Sequence, residues 1–159
     1  MKTELELYLK KNFPDIYNTS DKDTSTFKGF NCGDGWFRLI LWLSRYLKDY
    51  IVNQNKASDK MPEKYLPVKP IKVLSVDKNR GIIKFNIKGG NERIYSVISF
   101  AEYISGFICE ETGKIDNIVY NKNTNFKTLH HSLINSDSFE YVDEKPLREI
   151  LTNQLEFTF

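Results

Sequence analysis

The residues best able to do chemistry are two cysteines, Cys32 and Cys109, and two adjacent histidines, His130 and His131. Cys109 is followed directly by Glu110 and Glu111. With His130 these carboxylates form the one constellation of metal-ligand character. A structural zinc site takes four ligands, usually as two short-spaced pairs. The position three after Cys109 is Thr112, a poor ligand. The set is therefore short, and no bound metal is expected. Cys109 and His130 are alternatively a nucleophile and its base. No residue in the sequence identifiably orients that histidine or supplies an oxyanion hole. Neighbours on a strand face opposite ways, so only one of the two histidines serves a given site. Gly33-Asp34-Gly35 lacks the preceding strand and third glycine of a dinucleotide fingerprint, and neither a P-loop nor a nucleophile elbow is present. No cofactor is implied.

The second candidate is electrostatic. Net charge is only +2, but residues 60–93 hold nine Lys/Arg against three Asp/Glu, and residues 94–159 hold five against ten. Lys72, Lys78, Arg80, Lys84 and Lys88, with Arg93 just beyond, lie in or beside one strand pair. Such a row suits a phosphate backbone, and Tyr65 and Tyr95 add rings for stacking. A basic strand pair packed beside the chain's own acidic helices would give the same pattern. The acidic residues Glu140, Asp143, Glu144, Glu149 and Glu156 fit a solvated helix face better than a nucleic-acid mimic.

The elements that position these residues follow from hydrophobic spacing. Thr3 to Asn12 reads as a short amphipathic helix ended by Pro14. Residues 18–28 form a polar loop. Asp34 is a candidate N-cap for a long helix with Trp36, Ile40, Leu43, Leu47 and Tyr50 on one stripe. Leu39, Trp42, Tyr46 and Ile51 widen that stripe and predict burial on more than one side. Asn53-Gln54-Asn55 should fray its end, leaving a polar linker over 53–64. Residues 68–76 and 81–88 alternate as strands around a turn at 77–80. Ile83, Phe85 and Ile87 should face the core. Lys84, Asn86 and Lys88 should face outward, where folding gains nothing from like charges.

A second long helix should start at the cap Asn91. Ile94, Val97, Ile98, Ala101, Ile104 and Ile108 form its stripe, with Gly113 helping to stop it. The stripe of Trp36 should pack on Ile94, Ile98 and Ala101. A second hairpin should join residues 115–120 to 126–130, and a last helix should follow Asp143 to about Leu155. The order α-α-ββ-α-ββ-α predicts one α+β domain over residues 1–159, its antiparallel hairpins packed on two long helices.

Composition sets the outer bounds. The 159 residues are 40% hydrophobic and 28% charged, enough for a core and unlike a disordered or fibrous chain. No apolar run nears the roughly 20 residues that span a bilayer, and Met1 to Glu6 lacks a signal peptide's apolar centre. Two cysteines make no disulfide framework, so a cytoplasmic setting and no membrane partner are expected.

The segment Gly29-Phe30-Asn31-Cys32-Gly33-Asp34-Gly35-Trp36-Phe37 resembles the CGDGW signature of small phage and prophage proteins of unassigned function. Asn12-Phe13-Pro14 matches their opening. Val76 to Phe85 matches their Lys-rich turn and strand. Gly89-Gly90, Ala101-Glu102, Ser105 and Ile108-Cys109-Glu110 follow in the same order. The resemblance covers roughly residues 5–133. It implies a zinc-knuckle region, which this chain departs from: Thr112 stands for the second cysteine and Thr128-Leu129-His130 for a later Thr-Leu-Cys. It further implies a non-enzymatic mobile-element accessory protein. The expected partner is a host defence nucleoprotein, an RNA-guided nuclease or its guide RNA, which the protein would inhibit as an anti-CRISPR. The alternatives are a stand-alone RNA- or DNA-binding module and a small Cys/His enzyme.

Overall fold

The first helix, α1 (Thr3–Asn12), buries Leu9, and Phe13 closes it by donating its N–H to Leu9. Pro14 does more than end α1. Its fixed φ suits a first helical position, and a one-turn helix, α2 (Pro14–Tyr17), follows. The computed structural model describes residues 1–17, 27–116, 118–120, 127–134 and 140–141. Most of the polar loop, the turn of the second hairpin, the last helix and all but Glu140 of the acidic C-terminal residues lie outside that range.

A two-residue strand, β1 (Phe30–Asn31), leads into a short 3-10 turn, Asp34–Trp36, ahead of the long helix α3 (Phe37–Lys60). Asp34 does not cap α3. Its Oδ1 accepts the backbone N–H of Lys2 at 2.7 Å, tying the start of α1 to this loop. Trp36, Ile40, Leu43 and Leu47 are buried in one cluster with Ile94, Ile98 and Ala101, as their spacing predicts. The widened stripe is not buried throughout. Leu39 and Ile51 are half-buried, but Trp42 is 68% exposed and Tyr46 is 37% exposed. The helix also runs through the expected linker. The Asn55 amide bonds both the N–H and the C=O of Val68, and Gln54 donates to the Leu66 carbonyl. These contacts hold the polar turns helical where propensity alone would let them fray.

Strands β2 (Lys72–Asn79) and β3 (Ile82–Lys88) pair antiparallel, and β1 adds to β2 in parallel. The hairpin turn is narrower than expected and lies at Arg80-Gly81, since Asn79 pairs with Ile82. Both turn residues have positive φ, 48° and 81°, the conformation a two-residue hairpin loop needs and glycine adopts without steric cost. Ile83 and Phe85 are buried and Lys84, Asn86 and Lys88 exposed, as the alternation requires.

The second long helix, α4 (Glu92–Ser105), is capped by Asn91, whose side chain accepts the Ile94 N–H. It ends at Ser105, short of the predicted end. Ile108 and Gly113 belong to the turn beyond it. Besides packing on α3, α4 covers the outer edge of β3. Ser105 Oγ accepts the Ile83 N–H and Glu102 Oε1 accepts the Phe85 N–H, each at 2.8 Å. An edge whose donors are satisfied by a helix cannot template further strands.

A small second sheet has β4 (Ile118–Tyr120) between β5 (Thr128–His130) and β6 (Glu140–Tyr141), all antiparallel. Ile118 and Leu129 bury Cys109 with help from Ile134. The architecture is α+β: the first hairpin shares its core with the two long helices, whereas the second sheet, among the described residues, packs on the Cys109 turn in a cluster of its own and does not join that core.

Candidate functional site

The basic hairpin is divided by its own geometry. Near the turn its cations serve the fold. Lys84 Nζ lies 2.7 Å from Glu102 Oε2, and Lys78 Nζ lies 2.9 Å from both carboxylate oxygens of Glu110. Glu102 and Glu110 are only 6% and 5% exposed. A carboxylate that deep needs a partner, and removing it strands the charge. Of the two Glu110 oxygens only Oε1 has hydrogen-bond geometry; Oε2 relies on the ammonium's proximity. The expectation that folding gains nothing from these lysines is therefore corrected for Lys78 and Lys84. Arg80 sits in the turn itself.

Between the lysines the outer face carries an acid. Asp77 accepts from Asn31 at 2.8 Å through Oδ1, and from Ser75 at 2.6 Å and Asn86 at 2.8 Å through Oδ2. The Ser75 and Asn31 bonds hold its carboxyl below the usual range. This network ties β1, β2 and β3 together.

At the open end of the hairpin the register sets Lys72 directly opposite Lys88. Like charges across a strand pair oppose folding. Gly89 and Gly90 then turn the chain into α4, so Arg93 follows within five residues. At Gly89 (φ 88°) a Cβ would lie 2.2 Å from the Pro70 carbonyl oxygen, so this turn needs glycine on two counts. Arg93 donates to the Tyr46 hydroxyl at 3.1 Å and lies 5.1 Å from the Tyr50 ring centre. The bond to Tyr46 raises the guanidinium's pKa still further, keeping a fixed cation there.

Of the two tyrosines expected to stack beside the lysines, Tyr95 lies beside one lysine, Lys84. Tyr65 lies beyond α3 with Lys64 over its ring. Tyr95 is 49% exposed and lines a groove of about 350 Å³ with Lys84, Asn86, Ser99 and Glu102. Arg93 adjoins Tyr46 and Tyr50, stacked at 6.2 Å with planes 5° apart.

Cys109 and His130 belong to neighbouring strands and turns, since Leu129 and Ile118 pack on Cys109, but each has polar partners of its own. Cys109 opens a tight turn in which its N–H donates to the Lys114 carbonyl at 2.8 Å and its carbonyl accepts from Gly113 at 2.9 Å. Its sulfur accepts the Thr112 N–H at 3.4 Å. Glu110 is held by Lys78 and Glu111 by Lys127. His130 Nδ1 accepts the Ser132 N–H at 3.2 Å, which leaves the ring proton on Nε2, 3.6 Å from Asp116. Both nitrogens thus face partners other than Cys109. Among the described residues, no three His, Cys, Asp or Glu side chains gather as a metal site.

The CGDGW segment explains why that turn keeps its shape. A Cβ on Gly33 would lie 1.9 Å from the Glu110 carbonyl oxygen, and one on Gly35 would lie 2.1 Å from that of Cys109. Only glycines let the two loops pack backbone on backbone. The Gly35 N–H then donates to Glu110, and the Trp36 indole N–H bonds the Ser105 and Ile108 carbonyls at 3.0 and 3.1 Å. The segment is a structural lock. Burial pushes the Cys32 thiol up to about 12, so it stays protonated.

No family model matches this chain, and no curated protein or solved structure is similar to it. No helix among the described residues is long and apolar enough to cross a membrane.

Proposed function

We propose that this protein is a non-enzymatic binding protein whose partner is a nucleoprotein, engaged through the open end of the hairpin. The observation that carries the reading is the cross-strand pairing of Lys72 with Lys88, with Arg93 following on the next helix. Lys72 and Lys88, opposed in register and followed five residues on by Arg93, concentrate positive charge of the kind that suits a phosphate backbone. The contacts of Glu110, Glu111 and His130 favour this over Cys/His catalysis, since each is committed to a structural partner. The CGDGW resemblance supports a phage or prophage accessory factor, and we take its partner to be an RNA-guided defence nuclease that it inhibits, a choice the basic hairpin suits.

The test is the Lys72→Glu, Lys88→Glu double variant, with binding to a guide-loaded CRISPR nuclease measured against salt. The reading expects weakened capture, loss of inhibition and a shallower salt dependence at unchanged melting temperature. Unchanged capture and inhibition would overturn it. A stand-alone nucleic-acid module would instead bind free RNA or DNA as well as the complex and inhibit nothing.

A further inference from the structure

Trp42 is the most out-of-place side chain in the described structure. It is 68% exposed on α3, whereas the other tryptophan, Trp36 in the turn before that helix, is fully buried. A single exposed apolar residue is ordinary on a protein surface. The surroundings of Trp42 are not. Helical spacing sets Arg38 one turn before it and Arg45 and Tyr46 one turn after it, and all three are exposed. Tyr46 is fixed in orientation by its stack on Tyr50 and by the Arg93 hydrogen bond. The face therefore presents two aromatic rings about 6 Å apart along the axis. Arg38, Arg45 and Arg93 surround them, with Asp49 as the acid on the same face.

We infer that this outward face of α3 is a stacking surface for single-stranded RNA. Indole and phenol rings accept bases of any sequence on their faces, and guanidinium groups both fork onto phosphate and stack. The charge on the face itself favours this occupant: Arg38, Arg45 and Arg93 outnumber Asp49 there, while Arg38 also borders a cleft lined by Lys2, Glu4, Asp34 and Glu111. The inference goes beyond the hairpin reading, sharing Arg93 with it but not requiring a protein component in the partner.

The two tryptophans supply the readout. Trp36 is sealed in the core, so quenching of tryptophan fluorescence by added oligouridylate RNA reports on Trp42. Titration of the full-length chain at low salt should quench it. Trp42→Ala, an exposed substitution, should lower affinity for labelled oligouridylate about tenfold, as loss of one base stack does, with melting temperature unchanged. The Arg38→Ala, Arg45→Ala double variant should make the salt dependence shallower. Absence of quenching, or equal RNA binding by Trp42→Ala, would overturn the inference. So would a Trp42 signal that follows protein concentration without RNA, together with dimer mass in sedimentation, because the occupant would then be a second copy. The two proposals fail separately. A nuclease complex captured through Lys72 and Lys88 with no RNA quenching sinks only the stacking surface. RNA quenching without capture of the complex sinks only the nucleoprotein reading.

Discussion

The two ends of the molecule use the same residue types for opposite purposes. At the end built by the CGDGW loop, the Cys109 turn and the hairpin turn, charges are answered from within: Lys78 by Glu110, Lys84 by Glu102, Asp34 by Lys2. Trp36 there is fully buried, with its N–H bonded. At the other end Lys72 and Lys88 are opposed in register, and Arg93 lies over the half-buried Tyr50 ring. Between the ends, Trp42 turns its ring to water. Lysine and tryptophan thus carry no fixed meaning in this chain. For the tryptophans, burial or exposure to water separates the two; for Lys78 and Lys84, a buried carboxylate within ion-pair distance marks a role in the fold.

Mutation separates the two ends, and the largest contrast is between the tryptophans. Trp36→Ala should cost about 3–5 kcal/mol, because a large core side chain leaves a cavity that relaxes only in part. Trp42→Ala should stay within about 0.5 kcal/mol, as surface changes do. Urea unfolding of both variants measures this, and similar losses would erase the distinction between the faces of α3.

The lysines give the next contrast. Lys78→Ala leaves the Glu110 carboxylate buried without its ammonium and should cost about 3–5 kcal/mol. Lys88→Ala, at the open end of the same hairpin, should cost no more than about 1 kcal/mol. Equal melting temperatures for the two variants would show that the Glu110 pair contributes nothing to folding.

A smaller effect concerns pH and the Asp77 network. Its folded pKa is lowered relative to the ordinary 3.8 of the unfolded chain. The ionised carboxylate therefore stabilises the fold above that value, and the contribution is lost as pH falls through the lowered folded pKa. Asp77→Asn should flatten this part of the acid-unfolding profile and leave the behaviour at alkaline pH alone. A variant with an unaltered acid limb would show that the network is neutral to folding.

The sequence made the framework legible wherever periodicity and local chemistry agreed. Helix α1, the buried stripe of α3, the Asn91 cap and the alternation of β3 were all readable from spacing. Some errors are local, such as the hairpin turn placed at 77–80 instead of Arg80-Gly81, but the larger ones come from contacts between residues distant in sequence. A 3.6-residue stripe says that Trp42 lies near the apolar face but not where the packing partner ends. Nothing near Asn55 announces Val68, so the last turns of α3 read as linker. Glu102 and Glu110 lie 18 and 32 positions from the lysines they neutralise, so the hairpin read as uniformly available. Of the candidate basic set, the strand positions were legible. Its division into structural Lys78 and Lys84 and outward Lys72, Lys88 and Arg93 was not. The Arg38–Trp42–Arg45–Tyr46 face was missed, although the arginines one turn either side of Trp42 were a signal in the sequence.

The most direct test of the account measures the salt dependence of binding to a guide-loaded RNA-guided nuclease, for the native chain and for Lys72→Glu, Lys88→Glu. For the native chain, affinity should fall steeply with salt. For the double variant, binding should be weak and the slope reduced by about two phosphate contacts, at roughly 0.7–0.9 per contact. Two superimposable salt curves at equal affinity would contradict the central claim, that the open end of the hairpin is the surface that meets an anionic partner.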